Sequence, residues 1–361
     1  MKILYGVVGE GMGHATRSKV VITHLLERGH EVKIVVSGRA HGFLKRVFPD
    51  VEEIAGLTMV YEENAVKRGR TLRNFLKELP LWGGWADNFE TFTKISQSFS
   101  ADCVVSDFES FAYLYGQKHE IPVISIDNMQ VLNRCELDVE IPADDRTDYA
   151  IARGIVKAKL PGCYHYLVTS FFFPRVRKAR TSLYPPILRD DILAAKAGAK
   201  RGDHVLVYQT SESYGELLPV LKGFGVPFRV YGLGRDEVDG NLTLKSFSEK
   251  GFVDDLASAR AVIAGGGFSL LSEAVYLGKP ILSVPVRKQF EQLLNALYVR
   301  KLGYGEYVEH LTAPAIGAFL EQSDAYATNV AKHTQNGNQE LFAALDRLLA
   351  MVERGERQPE E

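Results

Sequence analysis

Two stretches far apart in the chain set residues capable of chemistry beside glycines. Near the amino terminus, GEGMGH (Gly9 to His14) ends in a histidine. Much later, GGGFSLLSEAVYLGKP places Gly265, Gly266 and Gly267 ahead of Glu273. Consecutive glycines let a ligand approach the backbone, and the free N–H groups of a following helix attract an anion. The positive end of that helix disfavours an imidazolium, so a histidine there stays neutral, as a base requires. The acid that could orient its ring is Asp107, after the apolar run CVVS. It can accept from one imidazole nitrogen and fix the tautomer, or it can cap the following helix. Inert readings stand beside the chemical ones: His14 as a packed or capping residue, the glycines as tight turns, Glu273 as part of a solvated helix face or a salt bridge.

A dinucleotide fingerprint fits poorly. The third glycine of G-x-G-x-x-G is His14, and the second strand ends in Ser37 and Gly38 without the acid that would bind a ribose hydroxyl. Downstream, Glu291 and Gln292 sit in the first turn of the helix opened by FEQLLNA. Acids suit a first turn in any case, and a ligand lying across the strand ends would meet them there.

Positioning these residues requires strands that stop where they begin. Ile3 to Val8 and Val32 to Val36 read as strands buried on both faces, with a helix from about Ala15 to Arg28 between them. That strand, glycine turn, helix and strand form the unit of a parallel sheet. Asp102 to Ser106, a helix over Ser110 to His119, and Pro122 to Ile126 repeat it. A second set follows: strands at His204 to Tyr208, Pro227 to Tyr231, Ala261 to Ala264 and Pro280 to Val284, and a helix at Phe268 to Tyr276. Phe171 to Asp191 holds three prolines, a run of basic residues and no sustained period, the pattern of a linker. The expected plan is an α/β protein with an N-terminal domain over 1–175, a linker over 176–191 and a second domain over 192–337. A final helix and tail over 338–361 would pack back on the first domain.

Composition narrows the function. The 361 residues include 43 Lys and Arg against 45 Asp and Glu, so no basic field advertises nucleic acid. Three scattered cysteines, Cys103, Cys135 and Cys163, fit a reducing compartment better than a disulfide frame or a zinc site. The amino terminus is a poor secretory signal, and no apolar run reaches membrane-spanning length, so a cytoplasmic protein is expected. One interval departs from the pattern. Lys67, Arg68, Arg70, Arg73 and Lys77 are followed by Trp82, Trp85, Phe89 and Phe92, which is either a solvated face with core aromatics or a peripheral membrane contact.

The block GGGFSLLSEAVYLGKPILSVPV, then EQLLNA and LGYG, resembles the donor-binding signature of the GT-B glycosyltransferases. The groups most similar are the UDP-glucosyl and glucuronosyl transferases and the lipid-linked N-acetylglucosaminyl transferase of peptidoglycan synthesis. GEGMGH is similar to their G-x-G-G-H turn, and DCVVSDFESFAYLYGQKHEIPVISI to their D-x-V-x-x-D region. The resemblance implies two Rossmann-like doubly wound domains facing across a cleft. It further implies inverting sugar transfer from a UDP or dTDP sugar, without a metal or other cofactor, to a small or lipid-linked acceptor. His14 would be the base and Asp107 its orienting carboxylate. Gly11 and Gly13 would border the donor. Gly265, Gly266, Gly267, Phe268 and Ser269 would hold its diphosphate, with Ser211 of the loop QTSESYG. Phe247 would lie by the base, Glu273 would take the ribose, and Glu291 and Gln292 the sugar. The chain departs from the pattern at Gly265, where many members have histidine, at Leu270, where a hydroxyl is usual, and at Glu291, usually Asp or Gln. A UDP-sugar 2-epimerase and a non-catalytic nucleotide-sugar binding protein share the architecture and remain alternatives.

Overall fold

The computed structural model describes residues 1–9, 11–56, 61–62, 65–66, 88–208 and 217–357. Fourteen strands make two seven-stranded sheets. In the first half they are β1 (Lys2–Val7), β2 (Glu31–Ser37), β3 (Val51–Ile54), β4 (Cys103–Asp107), β5 (Val123–Asp127), β6 (His165–Thr169) and β7 (Thr181–Tyr184). Their spatial order is β7-β6-β5-β4-β1-β2-β3, and every pair is parallel. In the second half they are β8 (Val205–Tyr208), β9 (Phe228–Tyr231), β10 (Glu237–Asp239), β11 (Leu242–Lys245), β12 (Ala261–Ala264), β13 (Ile281–Ser283) and β14 (Gly305–Tyr307). These run β10-β11-β9-β8-β12-β13-β14, with only the edge strand β10 antiparallel. Without their outermost strands β7 and β10, both sheets show the doubly wound order 3-2-1-4-5-6, in which ligands bind beyond the carboxyl ends of the strands.

Sequence explains the central strands directly. KILYGV, CVVSD and VISID are buried along almost their whole length, as strands covered by helices on both faces must be. Eight longer helices matter below: α1 (Met12–Glu27), α2 (Ser110–Lys118), α3 (Arg146–Lys159), α4 (Glu249–Ser258), α5 (Phe268–Tyr276), α6 (Phe290–Lys301), α7 (Ala313–Val330) and α8 (Gln339–Glu353). The chain enters α1 at Met12 rather than near Ala15, so His14 lies in the first turn instead of ahead of it.

The linker expected over 176–191 is shorter in the structure. Thr181–Tyr184 inside it pairs with β6 as an edge strand, Thr181 opposite Tyr166, so the crossing between sheets falls after residue 184. Prolines bracketing the strand masked it, because they mark an edge as readily as a linker. The chain crosses back after α7, and α8 packs on the first sheet. Its Leu341, Leu345 and Leu348 share a buried cluster with Ile3, Val21, Leu25 and Val105.

The two crossings lie side by side. The buried Asn338 amide accepts from Leu188 N at 2.9 Å and donates to Leu188 O at 2.8 Å, and Gln335 Nε2 donates to Pro186 O at 2.6 Å. Aromatic pairs join the halves further in: Phe172 stacks on Tyr298 with centroids 3.7 Å apart, and Tyr149 meets Phe290 at 5.1 Å. Among the described residues no helix is long and apolar enough to cross a membrane. The basic and tryptophan-bearing stretch 67–87 lies outside the described residues. Of its aromatic successors, Phe89 is exposed and Phe92 is buried in the core.

Candidate active site

Parallel pairing of β1 with β4 sets Val7 opposite Asp107, so the turn into α1 and the end of β4 emerge together. Gly11 caps α1 with φ 149°, a conformation that disfavours any side chain. Gly9 donates its N–H to Ser37 Oγ at 3.0 Å, so the residue standing where a dinucleotide site would carry an acid instead pins the glycine turn.

His14 then reaches Asp107, with Nδ1 2.8 Å from Oδ1. Asp107 does not cap α2. Phe108 adopts φ 53°, an unusual conformation for a bulky residue, and the next acid, Glu109, caps that helix by accepting from Phe111 N and Ala112 N. The turn at Phe108 therefore divides the two acids between different partners.

Three further donors converge on Asp107. Arg17 gives it Nε at 2.8 Å and Nη2 at 2.5 Å, and Ser18 gives its hydroxyl at 2.9 Å. Burial alone would raise this carboxyl; the Arg17 guanidinium, His14 and their hydrogen bonds outweigh it and hold it well below the usual carboxylate range. Arg17 Nη2 also lies 2.7 Å from His14 Nδ1. Two N–H groups cannot point at one another, and the carboxylate is the better acceptor for both. The network thus assigns the imidazole proton to Nδ1, donating to Asp107, and leaves the lone pair on Nε2.

Arg17 carries the network onward. Its Nη1 donates to Asn128 Oδ1 at 2.6 Å, just past β5, and Asn128 Nδ2 donates to Glu291 Oε1 at 2.7 Å in the other half of the molecule. Glu291 stands in the first turn of α6, as expected.

The second glycine turn meets the first. A side-chain carbon built on Gly13 would fall 2.5 Å from Ser269 Oγ, so the starts of α1 and α5 are in contact. Gly267 caps α5 without a side-chain hydrogen bond, and the N–H groups of Phe268, Ser269 and Leu270 precede the first intrahelical bond, Leu271 N to Gly267 O. The turn is braced from beneath. Gln292 Oε1 accepts from both Gly266 N and Val286 N at 3.0 Å, its Nε2 donates to Gln289, and Asn295 donates to Gly266 O at 2.9 Å. A Cβ on Gly266 would fall 2.3 Å from the Gln292 carbonyl oxygen, so only glycine fits. Gly265 is less confined: the nearest atom to such a carbon, Gln292 Oε1, is 3.4 Å away.

Other expected positions divide. The Phe268 ring is buried and stacks on Phe171 across the halves at 6.0 Å, so its backbone and not its ring faces the turn. Glu273 lies 7% exposed inside α5, gripped by Arg189 Nε at 2.8 Å and Nη2 at 3.0 Å. Burial pushes its carboxyl upward, and Arg189 opposes that shift. Phe247 is exposed, 5.8 Å from the Phe252 ring. Ser211 lies outside the described residues.

The sequence reading missed Arg17, Ser18, Asn128 and Arg189. Arg17 had a signal, since a residue three past His14 shares its face of a helix. Asn128 follows a strand end, the place where ligands gather. Arg189 sits in the irregular crossing and had none.

Two Rossmann-like domains whose glycine turns meet make up the GT-B architecture. The chain belongs to glycosyl transferase family 1, whose model matches residues 1–323. An uncharacterized glycosyltransferase of Methanosarcina acetivorans is 24% identical over 339 residues, 88% of each chain. A UDP-N-acetylglucosamine--N-acetylmuramyl-(pentapeptide) pyrophosphoryl-undecaprenol N-acetylglucosamine transferase of Bacillus cereus is 26% identical over 113 residues, 29% of this chain and 32% of that one. Among solved structures, a UDP-glucose: anthocyanidin 3-O-glucosyltransferase in complex with UDP superposes with TM-score 0.67 at 14% identity, covering 97% of this chain and 98% of that one. MurG of Acinetobacter baumannii gives 0.62 at 16%, covering 96% and 100%. At these identities the superpositions speak for the fold.

Proposed function

We propose that this glycosyltransferase moves a sugar from a UDP or dTDP sugar to an acceptor hydroxyl, with inversion and without a metal ion. The observation that carries the reading is the His14–Asp107 pair, its Nε2 free of any partner among the described residues, next to the uncapped start of α5. Nε2 takes the acceptor proton as the acceptor oxygen attacks the anomeric carbon. The bond from that carbon to the diphosphate oxygen breaks on the opposite face, and the electron pair leaves with the diphosphate. Developing charge there meets the N–H groups of Phe268, Ser269 and Leu270 and the positive end of α5, fixed dipoles that serve in place of a cation.

Glu273 holds the ribose in this reading. Each of its oxygens accepts one hydrogen bond from Arg189, which favours the charged carboxylate against the effect of burial and leaves acceptor capacity for the hydroxyls. Glu291 takes the donor sugar. Gln292 contributes by shaping the Gly266 turn, since its amide is engaged on both sides. The acceptor is a small molecule or a lipid-linked one that enters from the His14 side.

The test is thermal unfolding with UDP, dTDP, GDP or NAD at millimolar concentration without added metal. A nucleotide at ~100-fold excess over Kd stabilises by about 2.7 kcal/mol, an easily read shift. UDP or dTDP should give it, and a response to NAD alone overturns the reading. His14→Ala should abolish transfer yet keep nucleotide affinity within a few-fold; loss of that affinity would remove His14 from the base role.

A further inference from the structure

The hydrogen bonds around the proposed base do not stop at the dyad. They run from His14 to Asp107, from Asp107 to Arg17, from Arg17 to Asn128, and from Asn128 across the domain boundary to Glu291. One end is the group proposed to activate the acceptor. The other is the carboxylate proposed to hold the donor sugar. Arg17 and Asn128 are buried, at 5% and 4% exposure, and the bond between them is closed to water, while Glu291 is half-buried.

Asn128 is the joint, and its chemistry is dictated from both sides. A guanidinium offers only donors, and a carboxylate offers only acceptors. The side chain between them must present an acceptor to one and a donor to the other, which fixes the amide with Oδ1 toward Arg17 and Nδ2 toward Glu291. An isosteric aspartate would satisfy Arg17 but set two carboxylates face to face. The bond to Asn128 occupies Glu291 Oε1 and leaves Oε2 without a partner among the described residues.

We propose that Arg17 and Asn128 are positioning residues that link the two substrates: Asn128 sets Glu291 for the donor sugar from the opposite domain, and Arg17 ties that setting to the Asp107–His14 base. This rests on the glycosyltransferase reading above. Its consequence is that the base is fully aligned only when the domains are apposed closely enough for Asn128 to reach α6, so a sugar-loaded donor domain and a competent base arise together.

A reciprocal exchange tests it. Donor KM and kcat are measured for the wild type, Asn128→Asp, Glu291→Gln and the double variant Asn128→Asp with Glu291→Gln, and UDP and dTDP affinity is measured on the same proteins. Asn128→Asp should raise donor KM at least about tenfold, the scale of one charge-assisted hydrogen bond lost at a buried site. The double variant restores a donor–acceptor match, because the amide introduced on α6 now donates to the carboxylate introduced after β5. Its KM should return to within about threefold of Glu291→Gln alone, a non-additivity that two unconnected residues do not show. Free nucleotide lacks the sugar, so its affinity should stay within about twofold throughout. Independent, multiplicative effects of the two substitutions, or a loss of nucleotide affinity with Asn128→Asp, overturn the linkage while leaving the enzyme a glycosyltransferase. A wild type that transfers no sugar from any nucleotide donor overturns the reading beneath it. Should Asn128→Asp fail to fold, Asn128→Ser keeps a small hydroxyl at the joint, and the same comparison is made with and without Glu291→Gln.

Discussion

His14 and Asp107 show what burial adds to a pair of residue types. In water a histidine and an aspartate attract weakly; here the carboxylate is 1% exposed and receives four donors. Because its folded-state carboxyl lies below the ordinary value, ionised Asp107 contributes stability that is fully present above about pH 4 and is lost as pH falls toward the folded value. Asp107→Asn removes that contribution at neutral pH and has none left to lose in acid. The melting-temperature gap between the wild type and Asp107→Asn should therefore narrow as pH is lowered from 6 to 2.5; a constant gap would mean that Asp107 carries no such linkage. Glu273 and Arg189 differ in sign, since burial raises that carboxyl. Truncating Glu273 strands a buried arginine, so a test of its proposed ribose contact must separate loss of fold from loss of nucleotide affinity.

At the scale of elements, the glycine turn ahead of α5 is a loop held open by its neighbour. Gln292 and Asn295, both on α6, bond Gly266 from its N–H and its C=O sides. The start of α5 has no side-chain cap, and α6 fixes the loop that leads into it. Gly266→Ala should disrupt the turn, because the new carbon meets backbone and cannot be accommodated by turning a side chain. We expect nucleotide affinity to fall at least about tenfold and the protein to lose about 1–3 kcal/mol of stability, as in overpacked interiors, read by calorimetric titration and urea unfolding. Gly267→Ala is the control, as a carbon there has nothing within 4 Å, and it should perturb stability far less.

The whole molecule is two similar sheets closed by a shared strap. Helix α8 is the last long element, yet it completes the first domain: Leu345 is fully buried beside Ile3, Val21 and Leu25. His24 stacks on Phe342 with centroids 4.0 Å apart and bonds Asp346 at 2.8 Å. The two crossings between the domains are tied to each other at Asn338, which opens α8. Leu345→Ala should cost about 2–5 kcal/mol in the first unfolding transition, the range for a leucine truncated in a closed core. A cost under about 0.5 kcal/mol, the surface scale, would mean that α8 is not part of that core.

Much of this was legible in the chain. Apolar runs ending in glycine or aspartate dictated buried parallel strands, and they put His14 and Asp107 at strand ends because pleated backbones in one sheet finish in register. The glycine turns were legible because so few residues tolerate those conformations and approaches. Choosing between a cap and a dyad for Asp107 was not, since both use the same residue at the same position; the left-handed Phe108 and the capping Glu109 decided it. Nor could spacing reveal Arg17 to Asn128 to Glu291 or Glu273 to Arg189, pairs joined over 111, 163 and 84 residues. Local pattern reports which face a residue takes on its own element. Only packing of one element on another decides what that face meets, and in this protein the catalytic reading depends on such meetings.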